Sequence, residues 1–337
     1  MAQMNSKERF FALWNGKEAD RPSVINPVSV ATTESINALG LDFSKVHLDA
    51  ETMAALACYS HEVLGYDSIM PYFSVTAEGA ALGGKMNWGD NQTMPSQHSE
   101  VFSEPEQVKV PGDYLDRPPI RELIKAIKLI VARHGNDALI LGKALGPWTL
   151  SLRNYGMENT LIDTIDEPEK LAAIMKGLKE FTRVLTQAQL EAGAHMVTIA
   201  DHTTRNLIGP KVYDHFLKPL HQELNAEFPD KLILHCCGNT EDRVHLFAQG
   251  GFPMFHYESA NSTVNVKKLA GSMKLTGCVN NPTTLLKGSV DDVMKEVREI
   301  VSCGVNIVSP ECAVPMPTPN RNLKAIVDCA KTLSAGG

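Results

Sequence analysis

No stretch of this sequence stays apolar for the roughly 20 residues that a membrane-crossing helix requires. The opening Met1-Ala2-Gln3-Met4-Asn5-Ser6-Lys7-Glu8-Arg9 also lacks the apolar centre of a secretory leader. These two absences predict a cytoplasmic protein with no membrane partner. Basic residues are in short supply as well. Lys and Arg number 32 against 39 Asp and Glu, a formal net charge of -7, whereas a nucleic-acid ligand calls for a basic face. Nucleic acid is therefore not an expected partner. Cysteine is present without the pattern of a disulfide framework, because the count is an odd seven in a chain with no export signal. Cysteines beside histidine or at strand ends then read as thiols or metal ligands. Finally, no Gly-x-Gly-x-x-Gly follows the first strand candidate, which counts against a dinucleotide-binding fold.

What is present is a regular alternation. Strand candidates at 23–27, 67–72, 138–144, 195–201, 231–237, 254–258, 274–280 and 306–312 are short, apolar and separated by helical patterns. The helical patterns fall at 49–64, 119–134, 157–165, 168–192, 210–227, 240–249, 263–272, 289–303 and 321–333. Doubly buried strands alternating with helices imply a parallel sheet, and eight such units suit a closed barrel better than an open sheet. The expected fold class is α/β, a (β/α)8 TIM barrel forming one domain over 1–337. An N-terminal helix, Lys7 to Trp14, precedes the barrel. Between 76 and 119 periodicity is weak and Gly, Pro, Ser and Asn are frequent, so this insertion after strand 2 reads as a lid near the barrel mouth.

Barrel active sites collect at the carboxyl ends of the strands. Asn26, Tyr72, Asp201, His202, His235, Cys237, Glu258, Asn280, Glu311 and Cys312 all fall there. The run His235-Cys236-Cys237-Gly238-Asn239 stands out. Side chains alternate along a strand, so His235 and Cys237 share a face while Cys236 points the other way. Cys312, at the end of the last apolar run, supplies a third soft ligand. A His-Cys-Cys set with one further position is the usual form of a catalytic zinc site. Glu258 is a candidate fourth ligand or nearby carboxylate, and Cys58, Cys236, Cys278, Cys303 and Cys329 read as small buried apolar residues.

Two thiolates and a neutral imidazole cancel the charge of Zn²⁺, leaving a weak Lewis acid for hydrolysis. A thiol bound at the fourth position would still lose its proton, because coordination lowers thiol pKa. The ligand types therefore point to alkylation of a thiol.

The pairing of Leu234-His235-Cys236-Cys237-Gly238-Asn239 with Ser309-Pro310-Glu311-Cys312-Ala313-Val314-Pro315-Met316-Pro317-Thr318-Pro319 resembles the methylcobamide:coenzyme M methyltransferases, a branch of the uroporphyrinogen decarboxylase superfamily. Asn280-Asn281-Pro282-Thr283-Thr284-Leu285-Leu286, Ser6-Lys7-Glu8-Arg9 and Asp20-Arg21-Pro22 extend the likeness over nearly the whole chain. The resemblance implies transfer of a methyl group from methyl-Co(III) on a small corrinoid protein to a zinc-bound thiolate, releasing Co(I). It implies zinc ligands at His235, Cys237 and Cys312, an acidic residue near the metal at Glu258, and a mouth-shaping or proton-handling role for Asp201. Asn26, Tyr72, His202 and Asn280 are candidate contacts to the methylcobamide or the acceptor. The acceptor is a small molecule, either a thiol like coenzyme M or tetrahydrofolate.

One departure bears on substrate. Decarboxylases of the superfamily carry an Arg-Gln-Ala-Gly-Arg stretch near the first strand, whereas this chain reads Pro22-Ser23-Val24-Ile25-Asn26-Pro27-Val28-Ser29. Porphyrinogen carboxylates would lack their arginine partners. The competing expectations are a decarboxylase-like lyase on the same barrel, and a non-catalytic corrinoid or tetrapyrrole binder with structural zinc.

Overall fold

The computed structural model describes residues 3–334. Eight parallel strands form the sheet: β1 (Ser23–Val24), β2 (Ser68–Ile69), β3 (Leu139–Leu145), β4 (Met196–Ala200), β5 (Leu232–His235), β6 (Met254–His256), β7 (Lys274–Val279) and β8 (Ile307–Pro310). Their spatial order is β1-β8-β7-β6-β5-β4-β3-β2. The ends of that row also meet. Asp67 N–H donates to the Val24 carbonyl at 2.6 Å, and Val24 N–H donates to the Asp67 carboxylate at 2.7 Å. A side-chain carboxylate thus completes the seam where two-residue strands are too short to form a ladder, and the sheet has the closed form of a TIM barrel. The same carboxylate receives Arg9 at 2.7 Å and Arg21 at 2.9 Å. Arg9, Asp20 and Arg21, quoted above for their likeness to a family, belong to this buried floor of the barrel and lie away from the mouth.

Helices cover the outside. α1 (Ser6–Trp14) is started by an Asn5 and Glu8 capping box. α2 (Ala50–Glu62) and α3 (Ile120–His134) pack side by side next to β2 and β3. α4 (Pro147–Asn154) follows β3 directly, with Pro147 at its first position, where a missing N–H costs nothing. α5 (Pro168–Glu191) buries Leu171, Ile174, Met175, Leu178, Phe181 and Leu185 at helical spacing. α6 (Lys218–Glu227) enters through a wider turn at Tyr213–Leu217. α7 (Val244–Gln249), α8 (Thr263–Ala270), α9 (Val290–Ser302) and α10 (Asn320–Lys331) complete the layer.

The eight strand expectations each meet a strand, with no end displaced by more than three residues; most are shortened, while β3 runs one residue further, to Leu145. Helices at Thr33–Ala38, Phe43–Val46, Ala77–Ala81 and α4 were not anticipated. The pattern at 240–249 shortens to α7 because Thr240 to Arg243 turn inward, the fully buried Arg243 donating to the carbonyls of Thr203 and Ile208 at 2.7 Å each. Cys303 is half-buried, against its expected burial, since it caps the solvent-facing end of α9. The 76–119 segment contains a short helix (Ala77–Ala81), an antiparallel pair (Met86–Asn87 with Ser96–Gln97) and two single 3-10 turns. It lies against α4 and α5: Val101 and Phe102 donate to the Asn154 carbonyl, and Tyr114 packs edge-on to Phe181. No described helix is long and apolar enough to cross a membrane.

Candidate metal and substrate centre

β5 ends at His235, and the chain turns sharply after Cys237. That turn requires glycine at 238: φ is +76°, and a Cβ there would lie 2.5 Å from Thr204 Oγ1. Glu258, just past β6, accepts the Gly238 N–H and holds the turn against the neighbouring loop. Cys312 approaches from beyond β8. Its neighbour Glu311 accepts the backbone N–H groups of Asn281 at 2.7 Å and Ser259 at 3.0 Å, which ties together the loops after β6, β7 and β8.

These supports bring three donor atoms into one triangle. His235 Nε2 is 3.1 Å from Cys237 Sγ, Cys237 Sγ is 3.3 Å from Cys312 Sγ, and Cys312 Sγ is 3.5 Å from His235 Nε2. Both cysteines are free thiols. Their environments shift them in opposite directions. The hydrogen bond with Cys237, helped by His235, carries Cys312 well below its ordinary pKa, while the same bond and burial carry Cys237 well above. Two sulfurs and an imidazole nitrogen at this spacing fit a thiophilic divalent ion, whose charge would favour both cysteines as thiolates. Cys236 faces the helix layer, as strand parity requires. Its sulfur lies 3.5 Å from Thr203 Oγ1, and burial pushes the thiol up to about 12.

The triangle forms part of the wall of a cavity of about 460 Å³ at the barrel mouth. Asp201 and His202 line it as well. The Asp201 carboxylate accepts the Thr149 N–H at 2.7 Å, capping α4 from a distance, and meets His221 Nε2 at 3.0 Å; His221 Nδ1 in turn meets Tyr213 OH at 3.0 Å. This row runs from the cavity wall into the helix layer and fixes Asp201. Burial, with His235 close by, lowers the pKa of His202.

Asn26, Tyr72 and Asn280 do not line the cavity. Asn26 knits its own loop, donating to the Ser29 carbonyl and accepting from Val28 N–H. Tyr72 is buried with its hydroxyl 3.2 Å from Glu78, and Asn280 caps the turn at Asn281–Leu285. Glu258 supports the Cys237 turn and lies outside the three-donor group.

Two cations in the wall went unnoticed in the sequence. Lys143 is 1% exposed, and its ammonium sits 4.3 Å from the centre of the Tyr72 ring. Burial pushes it down to about 8, against the pull of Cys312, Glu78 and Cys237. The signal was available, since a lysine inside the otherwise apolar Leu139–Leu145 strand has to be accommodated somehow. Arg153, on α4, also lines the cavity, has its pKa lowered by burial, and forms no ion pair with a carboxylate among the described residues. Beneath Lys143, burial pushes Glu78 up to about 7 while its carboxyl accepts the Leu145 N–H at 2.7 Å. The outer rim is apolar, with Met94 from the 76–119 segment 46% exposed and Met157 55% exposed.

Comparison with known proteins places this geometry in context. A sequence model of the uroporphyrinogen decarboxylase (URO-D) family matches residues 5–333. The methylated-thiol–coenzyme M methyltransferase of Methanosarcina mazei is 27% identical over 332 residues, covering 98% of this chain and 90% of that protein. The methylcobamide:CoM methyltransferase of Methanosarcina acetivorans is 27% identical over 339 residues, covering 98% and 99%. A solved methyltransferase from Methanosarcina mazei superposes with a TM-score of 0.93 at 28% identity, over 98% of this chain and 99% of that one.

Proposed function

The chain belongs to the uroporphyrinogen decarboxylase family, and on that premise we propose that it is a methyltransferase that moves a methyl group from a corrinoid to the sulfur of a small anionic thiol. The observation that carries the reading is the triangle of His235, Cys237 and Cys312 set in the wall of a cavity that Lys143 and Arg153 also line. The names of the relatives, which take the methyl group from a methylcobamide to coenzyme M, point the same way.

His235, Cys237 and Cys312 would hold zinc. Bound there, zinc supplies a lowered thiol pKa at an electron-rich centre, so that the acceptor sulfur is ionised yet still nucleophilic. The remaining work falls to the chain. Arg153 and Lys143 attract the acceptor's anionic end, and an arginine fork suits a sulfonate or carboxylate. Glu258 and Glu311 hold the two cysteine-bearing loops. Met94 and Met157 present an apolar rim to the corrin ring of a partner protein. In the transfer, the methyl carbon leaves cobalt without the bonding pair, which stays on cobalt as Co(I), and the thiolate pair forms the new carbon–sulfur bond. The paired cations favour a thiol over tetrahydrofolate, whose nucleophile is a nitrogen on a bulky pterin.

The test mixes methylcobalamin with coenzyme M, homocysteine or tetrahydrofolate and follows loss of the methyl-Co(III) spectrum. Loss with an anionic thiol, abolished in Cys312→Ala while the far-ultraviolet circular dichroism stays native, is the expected result. Loss only with tetrahydrofolate would overturn the acceptor, and an unimpaired Cys312→Ala would overturn the site.

A further inference from the structure

A second group of metal-ligating side chains lies at the opposite pole of the barrel, between the C-terminal ends of α2 and α3. His61 is on the last turn of α2, His134 ends α3, and Asp137 sits in the turn before β3. One donor atom from each falls within 4.8 Å of the others. His61 Nε2 is 3.4 Å from Asp137 Oδ2, and His134 Nδ1 is 3.3 Å from that same oxygen.

The outward nitrogens decide what faces inward. His61 Nδ1 is 2.7 Å from the Tyr66 carbonyl. A carbonyl only accepts, so this nitrogen carries a proton. His134 Nε2 is 2.7 Å from Glu62 Oε1, which also receives Arg133 at 2.8 Å. A carboxylate engaged this way accepts the hydrogen bond, so His134 Nε2 carries the proton. With both rings uncharged, their inward nitrogens present lone pairs to Asp137, so three acceptors converge on one point. That is unfavourable unless a cation sits among them.

Tying the far nitrogen of an imidazole to a carbonyl or carboxylate is how ligand histidines are oriented in metal sites. The spacing agrees. Ligands about 2.0–2.1 Å from a tetrahedral ion lie about 3.3–3.4 Å from one another, which is the separation of each histidine nitrogen from the carboxylate oxygen. We propose that His61 Nε2, His134 Nδ1 and an oxygen of Asp137 bind a divalent first-row transition ion, zinc or one of its neighbours, independently of the cysteine-bearing centre. Nitrogen and oxygen donors suit such an ion. Entry from solvent is open, since the Asp137 side chain is 49% exposed, while the rings, 16% and 13% exposed, form a fixed base. Cys58 lies close by in an overlapping group with Glu62 and His134, and is not one of the three donors that meet around Asp137. The bound ion would clamp α2 to α3 and to the start of β3.

The full chain, stripped of metal, is titrated with zinc and the bound metal counted, in the native sequence and in His134→Ala and Asp137→Asn. Each variant should bind one equivalent fewer than the native chain, while Co²⁺ still develops the intense sulfur-to-metal band of the cysteine site in both. A Cys237→Ser, Cys312→Ser double variant should lose that band yet keep one equivalent, which separates this site from the other. Equal metal counts in native, His134→Ala and Asp137→Asn proteins would overturn the proposal and leave a shared proton as the cation among the three groups.

Discussion

At the scale of single residues, charge placement sets both what the cavity binds and how the protein responds to pH. Arg153 offers the acceptor a guanidinium with no carboxylate to release first. A charge-assisted hydrogen bond contributes about 1.5–3 kcal/mol, so Arg153→Ala should raise KM for an anionic thiol by roughly 10- to 150-fold, with a much smaller change for a neutral thiol of the same size. Equal effects on both thiols in steady-state assays would remove Arg153 from acceptor recognition. Glu78 gives a test through stability. Burial lifts it from 4.5 to about 7, so between those values the native protein keeps a proton that the unfolded chain releases. Its contribution is therefore present below 4.5 and lost as pH rises to 7. Glu78→Gln does not titrate, so its stability should gain on that of the native chain across this window, by up to the order of 3 kcal/mol. A difference that is flat with pH in paired melts would show that Glu78 is not held protonated. Legibility at this scale was uneven. Strand parity separated Cys236 from His235 and Cys237 because the alternation set by the Leu232–His235 strand carries on through the two residues after it. Asn26, Tyr72 and Asn280 follow strand ends too, but Asn26 and Tyr72 spend their polar atoms within their own segments, and Asn280 divides its amide between its own turn and Ser259 of the neighbouring loop.

At the scale of elements, the mouth depends on close approaches that glycine allows. A Cβ on Gly146 would fall 2.2 Å from the Asp201 carboxyl carbon, the same carboxylate that caps α4 through Thr149. Gly146→Ala should therefore displace Asp201 and cost about 1–3 kcal/mol, read as a lower denaturation midpoint with an unchanged m-value. An unaltered midpoint would mean that the β3–α4 junction yields more easily than its packing implies. α4 itself escaped the sequence reading for a physical reason. Leu145-Gly146-Pro147-Trp148 carries residues that commonly end a strand, and nothing local marks Pro147 as the first residue of a helix capped from fifty residues away. The long, amphipathic α5 was plain by contrast, because its apolar spacing is a local property.

At the scale of the whole molecule, eight short strands alternating with helices were enough to anticipate the barrel, since doubly buried strands of this kind have few alternative arrangements. Closure was not legible. It rests on Asp67 bonded to both sides of the seam and braced by Arg9 and Arg21, contacts between segments more than forty residues apart. Barrel closure is also what brings Cys312 to Cys237, so the candidate centre is a property of the global fold, although each ligand sits at a readable strand end. The central claim, a thiol-activating His-Cys-Cys centre, is tested most directly by X-ray absorption at the zinc edge on a His134→Ala chain, which confines zinc to the mouth, with and without acceptor thiol. Two sulfur ligands without the acceptor and three with it are predicted. A sulfur count that stays at two when the thiol is bound would contradict the claim.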